Sequence, residues 1–254
     1  MGAKTKIDWC DSTWNPITGC RHGCDYCYAR GIAKRFGGNE DSELHTLETR
    51  QYKGGTWTAD PYPFGFAPTL HKYLLHVPLQ WKKTRTIFVC SMADLFGDWV
   101  PLEWIQEVFR ICREAPQHRY LFLTKNPMRY ISLMEHGQLP TEDNFWYGST
   151  ATKPDTPFFF CKTVNTFVSI EPIQAPFTDL GDMGSYADWV IVGAETGRRK
   201  GKTIPDRQWI EEIAEKTKAR GTPLFMKESL RGLMGADFRQ EYPWETDDTT
   251  QPAN

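Results

Sequence analysis

Three cysteines, Cys20, Cys24 and Cys27, stand in the run TGCRHGCDYCYAR (residues 18–30) at the spacing C-x3-C-x2-C. Thiols set this closely are suited to metal. Structural zinc takes four nitrogen or sulfur ligands, usually as two Cys or His pairs separated by a longer loop. No second pair is present, so zinc here would need Cys10 or His22 as its fourth ligand. Three ordinary buried cysteines are a second alternative, but the flanking Arg21, His22, Gly23 and Asp25 are not core residues. A third is a [4Fe–4S] cluster held through three of its irons. Three thiolates leave one iron open to an exogenous ligand, and a fourth cysteine would close that position.

A loop of this kind needs elements on either side to hold it. From residue 86 onward, short β-branched or aromatic runs alternate with amphipathic stretches, the pattern of repeated βα units around a parallel sheet. The predicted strands are TIFVCS (86–91), YLFLT (120–124), FWYGS (145–149), TFVSI (166–170), WVIVG (189–193) and PLFM (223–226), with TWNPITG (13–19) as the first strand. Near-continuous apolar runs suit strands covered on both faces. Leu102, Ile105, Val108, Phe109 and Cys112 fall at helical spacing, as do Trp209, Ile210, Ile213, Ala214 and Thr217, and ARGIAKRF (29–36) begins a helix after the cysteines. The expected fold is α/β: a partial, open βα barrel of six or seven parallel strands.

The chain has 254 residues, 40% of them apolar and 24% charged, with 14% aromatic and ten Trp. That composition is globular. We expect a single domain over residues 1–242, with an insertion at about 37–85 of little periodicity, and a flexible tail at 243–254. No run of about 18 apolar residues would span a membrane, and the N-terminal residues lack the apolar stretch of a signal peptide. With seven cysteines, an odd number, a disulfide framework is not expected. The expectation is a cytoplasmic protein with thiolate or metal chemistry and no membrane partner.

In a βα barrel the chemistry sits on the loops that follow the strand C-terminal ends. By that rule the cysteine loop, SMADLF (91–96), TKNP (124–127), GSTA (148–151), SIEP (169–172) and GAETGRRKGK (193–202) gather the candidate residues. The C-x3-C-x2-C spacing after a first strand, with an aromatic before the last cysteine, resembles the signature of the radical SAM superfamily. DSTWNPITGC, PFGFAPTL, SMADLFGDWVP, FVSIEP and DWVIVGAETG together resemble a phage-associated three-cysteine-motif family of unknown function. The superfamily resemblance implies a [4Fe–4S] cluster on Cys20, Cys24 and Cys27 whose open iron binds S-adenosylmethionine. An electron from the cluster then splits the cofactor into methionine and a 5′-deoxyadenosyl radical. It implies an electron donor such as a flavodoxin or ferredoxin.

The resemblance places Tyr26 near the adenine and the loop carrying Ser91 and Asp94 near the methionine amino group. That loop is not the glycine-rich form common in the superfamily, and Asp94 is equally a turn residue bonding its own backbone. Ser149 and Thr150, then Ser169 and Glu171, are candidates for the ribose or carboxylate. Glu171 is equally a structural carboxylate. Gly193 allows close backbone approach, and Glu195 follows it. Lys125 and Lys227 each follow a strand end. Cys90 and Cys161 are candidate hydrogen-atom donors, although Cys90 lies in an apolar run.

The net charge of −2 excludes a generally basic protein. Charge placement is more informative. Pro61 to Ala93 holds no Asp or Glu but carries Lys72, Lys82, Lys83, Arg85, His71 and His76 among Tyr62, Phe64, Phe66, Tyr73 and Trp81. Arg198, Arg199, Lys200 and Lys202 fall after the sixth strand. Cations with aromatics able to stack on bases suit a nucleic acid or nucleotide substrate. Other classes predict different behaviour: a redox or scaffold protein would bind iron–sulfur or zinc without S-adenosylmethionine, and a peptide or small molecule could replace the nucleic acid. A hydrolase using Asp94, Glu171 and Glu195 would keep its activity without the three cysteines.

Overall fold

The computed structural model describes residues 5–49, 52–53, 56–57, 62–177 and 187–245. In chain order the first elements are β1 (Ser12–Trp14), β2 (Ile17–Thr18), α1 (Tyr28–Phe36), β3 (His45–Leu47), β4 (Tyr52–Lys53) and β5 (Thr56–Trp57). They are followed by β6 (Thr69–His71), α2 (Lys72–Leu75), β7 (Thr86–Val89), α3 (Leu102–Glu114), β8 (Arg119–Thr124) and α4 (Pro127–Glu135). The remainder comprises β9 (Phe145–Thr150), β10 (Asn165–Ile170), β11 (Trp189–Val192), α5 (Arg207–Arg220), β12 (Leu224–Met226) and α6 (Arg231–Met234). Seven strands form one sheet in the order β1-β7-β8-β9-β10-β11-β12. The pairs β1–β7, β7–β8, β10–β11 and β11–β12 are all parallel. This is the expected α/β class and strand order of an open βα barrel.

The chain divides into two compact units, residues 1–146 and 147–254. In the first, α3 buries Trp104, Ile105, Val108, Phe109, Ile111 and Cys112. The apolar spacing read from the sequence thus faces the core, with Leu102 only half-buried. Its Phe109 ring lies 5.4 Å from Phe122 of β8 and 6.1 Å from Phe96. In the second unit, Val168 and Ile170 of β10, Val190 and Val192 of β11, and Leu224 and Met226 of β12 join Ile210 and Ile213 of α5 in one cluster. Side chains alternate across a strand, so Phe167, Ser169, Ile191 and Phe225 lie on the opposite face. Gly221, with φ 69°, ends α5 in the left-handed conformation that glycine adopts without a Cβ clash.

Two expectations need correction. TWNPITG is not one strand. Pro16 has no amide hydrogen to continue a ladder, so the run breaks after Trp14. Ile17–Thr18 then pairs antiparallel with β6, while β3 pairs parallel with β6 to complete a small three-stranded sheet. The insertion therefore contributes ordered sheet where low periodicity predicted turns. The ordered chain also runs past residue 242. Glu241 N donates to Leu224 O, covering the β12 edge, and Trp244 packs edge-on against Trp189 with centroids 5.2 Å apart. Of the expected tail, residues 246–254 lie outside the described residues. Among the described residues no helix is long and apolar enough to cross a membrane.

Phe109→Ala should lower the unfolding free energy by about 3–5 kcal/mol, because the aromatic cluster around it cannot collapse into the void. Chemical denaturation of the variant beside the parent checks this.

Candidate functional site

In the first unit the cysteine loop is built between the ends of β1 and β7. Asn15 Oδ1, just past β1, accepts Ser91 Oγ at 3.1 Å and Met92 N at 3.0 Å. Gly19 N donates to Met92 O at 3.0 Å and Cys20 N to Phe66 O at 3.2 Å. Gly19 has φ 88°, and a Cβ there would stand 2.3 Å from Ala67 O. Only glycine satisfies both the positive φ and that close approach. Cys27 then caps α1, its sulfur accepting Arg30 N at 3.3 Å. Arg30 reaches back: Nη2 donates to Cys20 O at 3.0 Å, Nη1 to Glu40 at 2.9 Å, and its guanidinium lies 4.9 Å from the Phe66 ring centroid.

Beneath this loop lies Asp94, 5% exposed. Its Oδ1 accepts Phe96 N at 3.0 Å and Thr124 Oγ1 at 2.7 Å, and its Oδ2 accepts Lys125 N at 2.9 Å. His22 Nε2, from within the cysteine loop, is 2.7 Å from Oδ2. The turn-residue alternative for Asp94 is thus realised and extended: the carboxylate bonds its own loop and ties the ends of β7 and β8 to the cysteines. Ser91 is engaged by Asn15, and its carbonyl accepts Tyr28 OH at 2.6 Å. Tyr26 is half-buried, with Lys125 Nζ 5.6 Å from its ring centroid. Cys90 is buried at the end of β7, and burial pushes its thiol up to about 12.

The donor set fits a cluster. Cys20, Cys24 and Cys27 are all free thiols. Burial foremost, with Asp94, Cys24 and Cys27 adding negative potential, pushes the Cys20 thiol up to about 12. A bound cationic centre reverses that opposition to ionisation of Cys20, since a coordinated thiol is deprotonated outright. For zinc, the two possible fourth ligands are turned to other work: His22 to Asp94, and Cys10, whose Sγ lies 3.9 Å from Ile7 O. Zinc also needs its ligands within about 2.0–2.3 Å of one ion. Among the described residues no three His, Cys, Asp or Glu could hold a single metal ion. A four-iron cluster instead takes each thiolate on a separate iron.

In the second unit, Ser149, Ser169, Glu171, Gly193, Glu195 and Lys227 all lie at or just past strand C-terminal ends. Ser149 is satisfied by Phe159 N, which donates to its Oγ at 2.8 Å. Ser169 Oγ is buried and has no hydrogen-bond partner among the described residues. Lys227 Nζ pairs with Glu171 Oε1 at 2.5 Å. The Lys227 stem lies over Gly193, where a Cβ would approach its Cδ to 2.9 Å. Thr150 is buried, and Cys161 Sγ lies 3.1 Å from Thr163 Oγ1.

The four expected cations of the 193–202 loop divide. Arg199 grips Glu195 through two bonds, Nε to Oε1 at 2.6 Å and Nη2 to Oε2 at 2.7 Å, and Lys202 Nζ donates to Gly197 O at 3.1 Å. Arg198 and Lys200 are exposed. The Arg199 guanidinium holds the Glu195 carboxyl below its ordinary value. The cations of the Pro61–Ala93 span divide too. Lys72 pairs with Glu48 at 2.6 Å, and Arg85 lies over Trp81 at 4.8 Å. Tyr62, Phe66 and Trp81 are buried core residues, so they are not free to stack on bases; Pro61 lies outside the described residues. Sequence reasoning missed Asn15, Arg30, Phe66 and Thr124 as supports of the cysteine loop. Their partners are 10 to 77 residues away along the chain, and no local pattern marks them.

The fold and this site define an α/β chain of open-barrel type with a three-thiol loop after its first strand. Among solved structures the chain is similar to spore photoproduct lyase complexed with dinucleoside spore photoproduct. The TM-score is 0.51 at 8% identity, over 87% of this chain and 75% of that one. It also matches a mutant spore photoproduct lyase with bound AdoMet and dinucleoside spore photoproduct, at TM-score 0.49 and 9% identity. That match covers 86% of this chain, which spans 64% of the lyase chain. No curated protein matches in sequence. The chain belongs to the family described as protein of unknown function (DUF5131), matched over residues 4–235.

Two outcomes follow. Asp94→Ala should destabilise the chain by about 3 kcal/mol, since it strands a buried hydroxyl and two backbone amides together with His22; thermal and urea unfolding check this. Glu195 titrates lower in the folded chain than unfolded. Its contribution is therefore full above the ordinary carboxyl value of about 4.3 and is lost as pH falls through the folded value. The stability difference between parent and Glu195→Gln should accordingly be level near neutral pH and shrink on acidification, as followed by unfolding at stepped pH.

Proposed function

We propose that this protein is a radical SAM enzyme acting on a nucleic acid or nucleotide. One observation carries the reading: Cys20, Cys24 and Cys27 stand close together in a loop braced by Asp94, Gly19 and Arg30, with His22 and Cys10 bonded elsewhere. Cys20, Cys24 and Cys27 would hold three irons of a [4Fe–4S] cluster. When bound, the cluster and S-adenosylmethionine supply reductive cleavage to methionine and a 5′-deoxyadenosyl radical.

The chain's own residues hold and orient. Asp94 fixes the cysteine loop through His22, and Tyr26 offers an aromatic face beside Lys125. Ser169 Oγ, buried without a partner among the described residues, is a group that a bound hydroxyl or carboxylate would satisfy. The Glu171–Lys227 pair offers a carboxylate oxygen and an ammonium for a polar cofactor or substrate. Gly193 keeps the lysine stem close to the backbone at that point. Cys90 and Cys161 stand as candidate hydrogen-atom donors, and Cys161, half-buried, is the more accessible of the two. For the substrate class, support comes from the dinucleoside bound by the solved lyase of like fold and from exposed Arg198 and Lys200. Arg199, by contrast, acts as the brace that holds this loop through Glu195.

Anaerobic protein reconstituted with iron and sulfide should be brown and, with S-adenosylmethionine and dithionite, should release 5′-deoxyadenosine. A parent that holds only zinc, or a Cys20/Cys24/Cys27→Ala variant with undiminished iron and sulfide, rejects the cluster. Replacing Arg198 and Lys200 by Ser should leave iron content unchanged and weaken oligonucleotide binding, lowering the slope of log affinity against log salt by about 2. A parent that binds neither DNA, RNA nor nucleotides at low salt removes this substrate class and leaves the radical chemistry standing.

A further inference from the structure

Helix α1 starts directly after Cys27 and carries an outward apolar stripe. Tyr28, Ile32 and Phe36 recur every fourth residue, so they share one face. They are 54%, 39% and 61% exposed, while Ala29 and Ala33 on the adjacent face are buried. Large apolar side chains do occur singly on surfaces, but three in register over about 12 Å of helix are a patch. The Tyr28 hydroxyl donates to Ser91 O, which fixes that ring beside the cysteine loop.

Gly31 lies next to the stripe. Glycine is the least favourable residue but proline in a helix interior, and it is usually kept where something packs closely. Here a Cβ at Gly31 would meet nothing within 4 Å, so no contact among the described residues accounts for it. A flat helix surface at this point does suit the close approach of another molecule. The charges carried by the helix itself are all positive. The helix holds Arg30, Lys34 and Arg35 and no acid. Arg30 is turned back to Glu40 and Cys20 O, whereas Lys34 and Arg35 are exposed, with the Arg35 guanidinium 5.9 Å from the Phe36 ring centroid.

We propose that the α1 face formed by Tyr28, Gly31, Ile32 and Phe36, rimmed by Lys34 and Arg35, docks an acidic one-electron carrier protein that reduces the cluster. This rests on the cluster reading of Cys20, Cys24 and Cys27. Reductive cleavage consumes one electron per turnover, and the carrier loses the electron that the oxidised cluster gains, with no bond made or broken. A face beginning one residue after a cluster ligand brings a donor close to its acceptor. A single apolar stripe with Lys34 and Arg35 beside it matches the small, steered contacts of redox partners.

The test follows cluster bleaching in stopped flow, with reduced flavodoxin, reduced ferredoxin and dithionite as separate reductants of the reconstituted protein. Ile32→Asp/Phe36→Asp should slow reduction by the preferred carrier roughly tenfold, while dithionite reduces parent and variant alike. Lys34→Glu/Arg35→Glu should slow the same step and abolish its decline with added salt, since steering by rim charges is screened. Carrier rates unchanged in both variants overturn the proposal, as does a parent cluster that dithionite bleaches but neither carrier reduces. Variants that lose oligonucleotide binding while keeping parental carrier rates also overturn it and assign the face to nucleic acid. A parent without iron overturns the cluster reading itself, and is distinguished at once by its lack of colour.

Discussion

Burying a carboxylate costs free energy unless hydrogen-bond donors converge on it. Asp94 meets that condition by gathering donors from its own loop, from the end of β8 and from the cysteine loop. Phe96 N, Thr124 Oγ1 and Lys125 N are fixed by the sheet, so the position of His22 is fixed as well. Cys20 and Cys24 flank His22 at two residues on either side. The geometry of the three thiols is therefore inherited from strand pairing through one carboxylate. Gly19 and Arg30 hold the same loop from the β6 side, through Ala67 and Phe66.

The second unit follows the same logic with ion pairs. Glu171 and Lys227 neutralise one another at the ends of β10 and β12, and Glu195 and Arg199 do so through two parallel bonds. A two-bond fork with a carboxylate is geometrically demanding, and it stiffens the loop in which Arg198 and Lys200 stand. Among the described residues of the unit, Ser169 Oγ on the sheet face is buried without a partner, and Arg198 and Lys200 stand exposed at the loop. Satisfied groups shape the surroundings, and unsatisfied ones are where a ligand gains most.

Much of this was legible in the chain. All six strands read from residue 86 onward form, each within one or two residues of its expected bounds, because apolar β-branched and aromatic runs bounded by turns have few other uses. The α3 and α5 stripes face their cores for the same reason. The first strand was misjudged because TWNPITG alternates well enough but contains Pro16, whose effect depends on which neighbour the following residues find. The pairing of Ile17 with Leu70 spans the insertion and has no local signature.

The sequence by itself determined the α/β class, the strand order's raw material and the three-thiol loop, since each is written in local spacing. Only the tertiary structure decided the state of each charged group. Composition counts four cations between Arg198 and Lys202 alike, yet Arg199 and Lys202 are held within the loop while Arg198 and Lys200 face solvent. It counts Tyr62, Phe66 and Trp81 as aromatics beside cations, yet all three are buried. The reason is that hydrogen bonding and desolvation act over a few ångströms in space, and residues that meet at that distance here are as far apart in the chain as Asn15 and Met92.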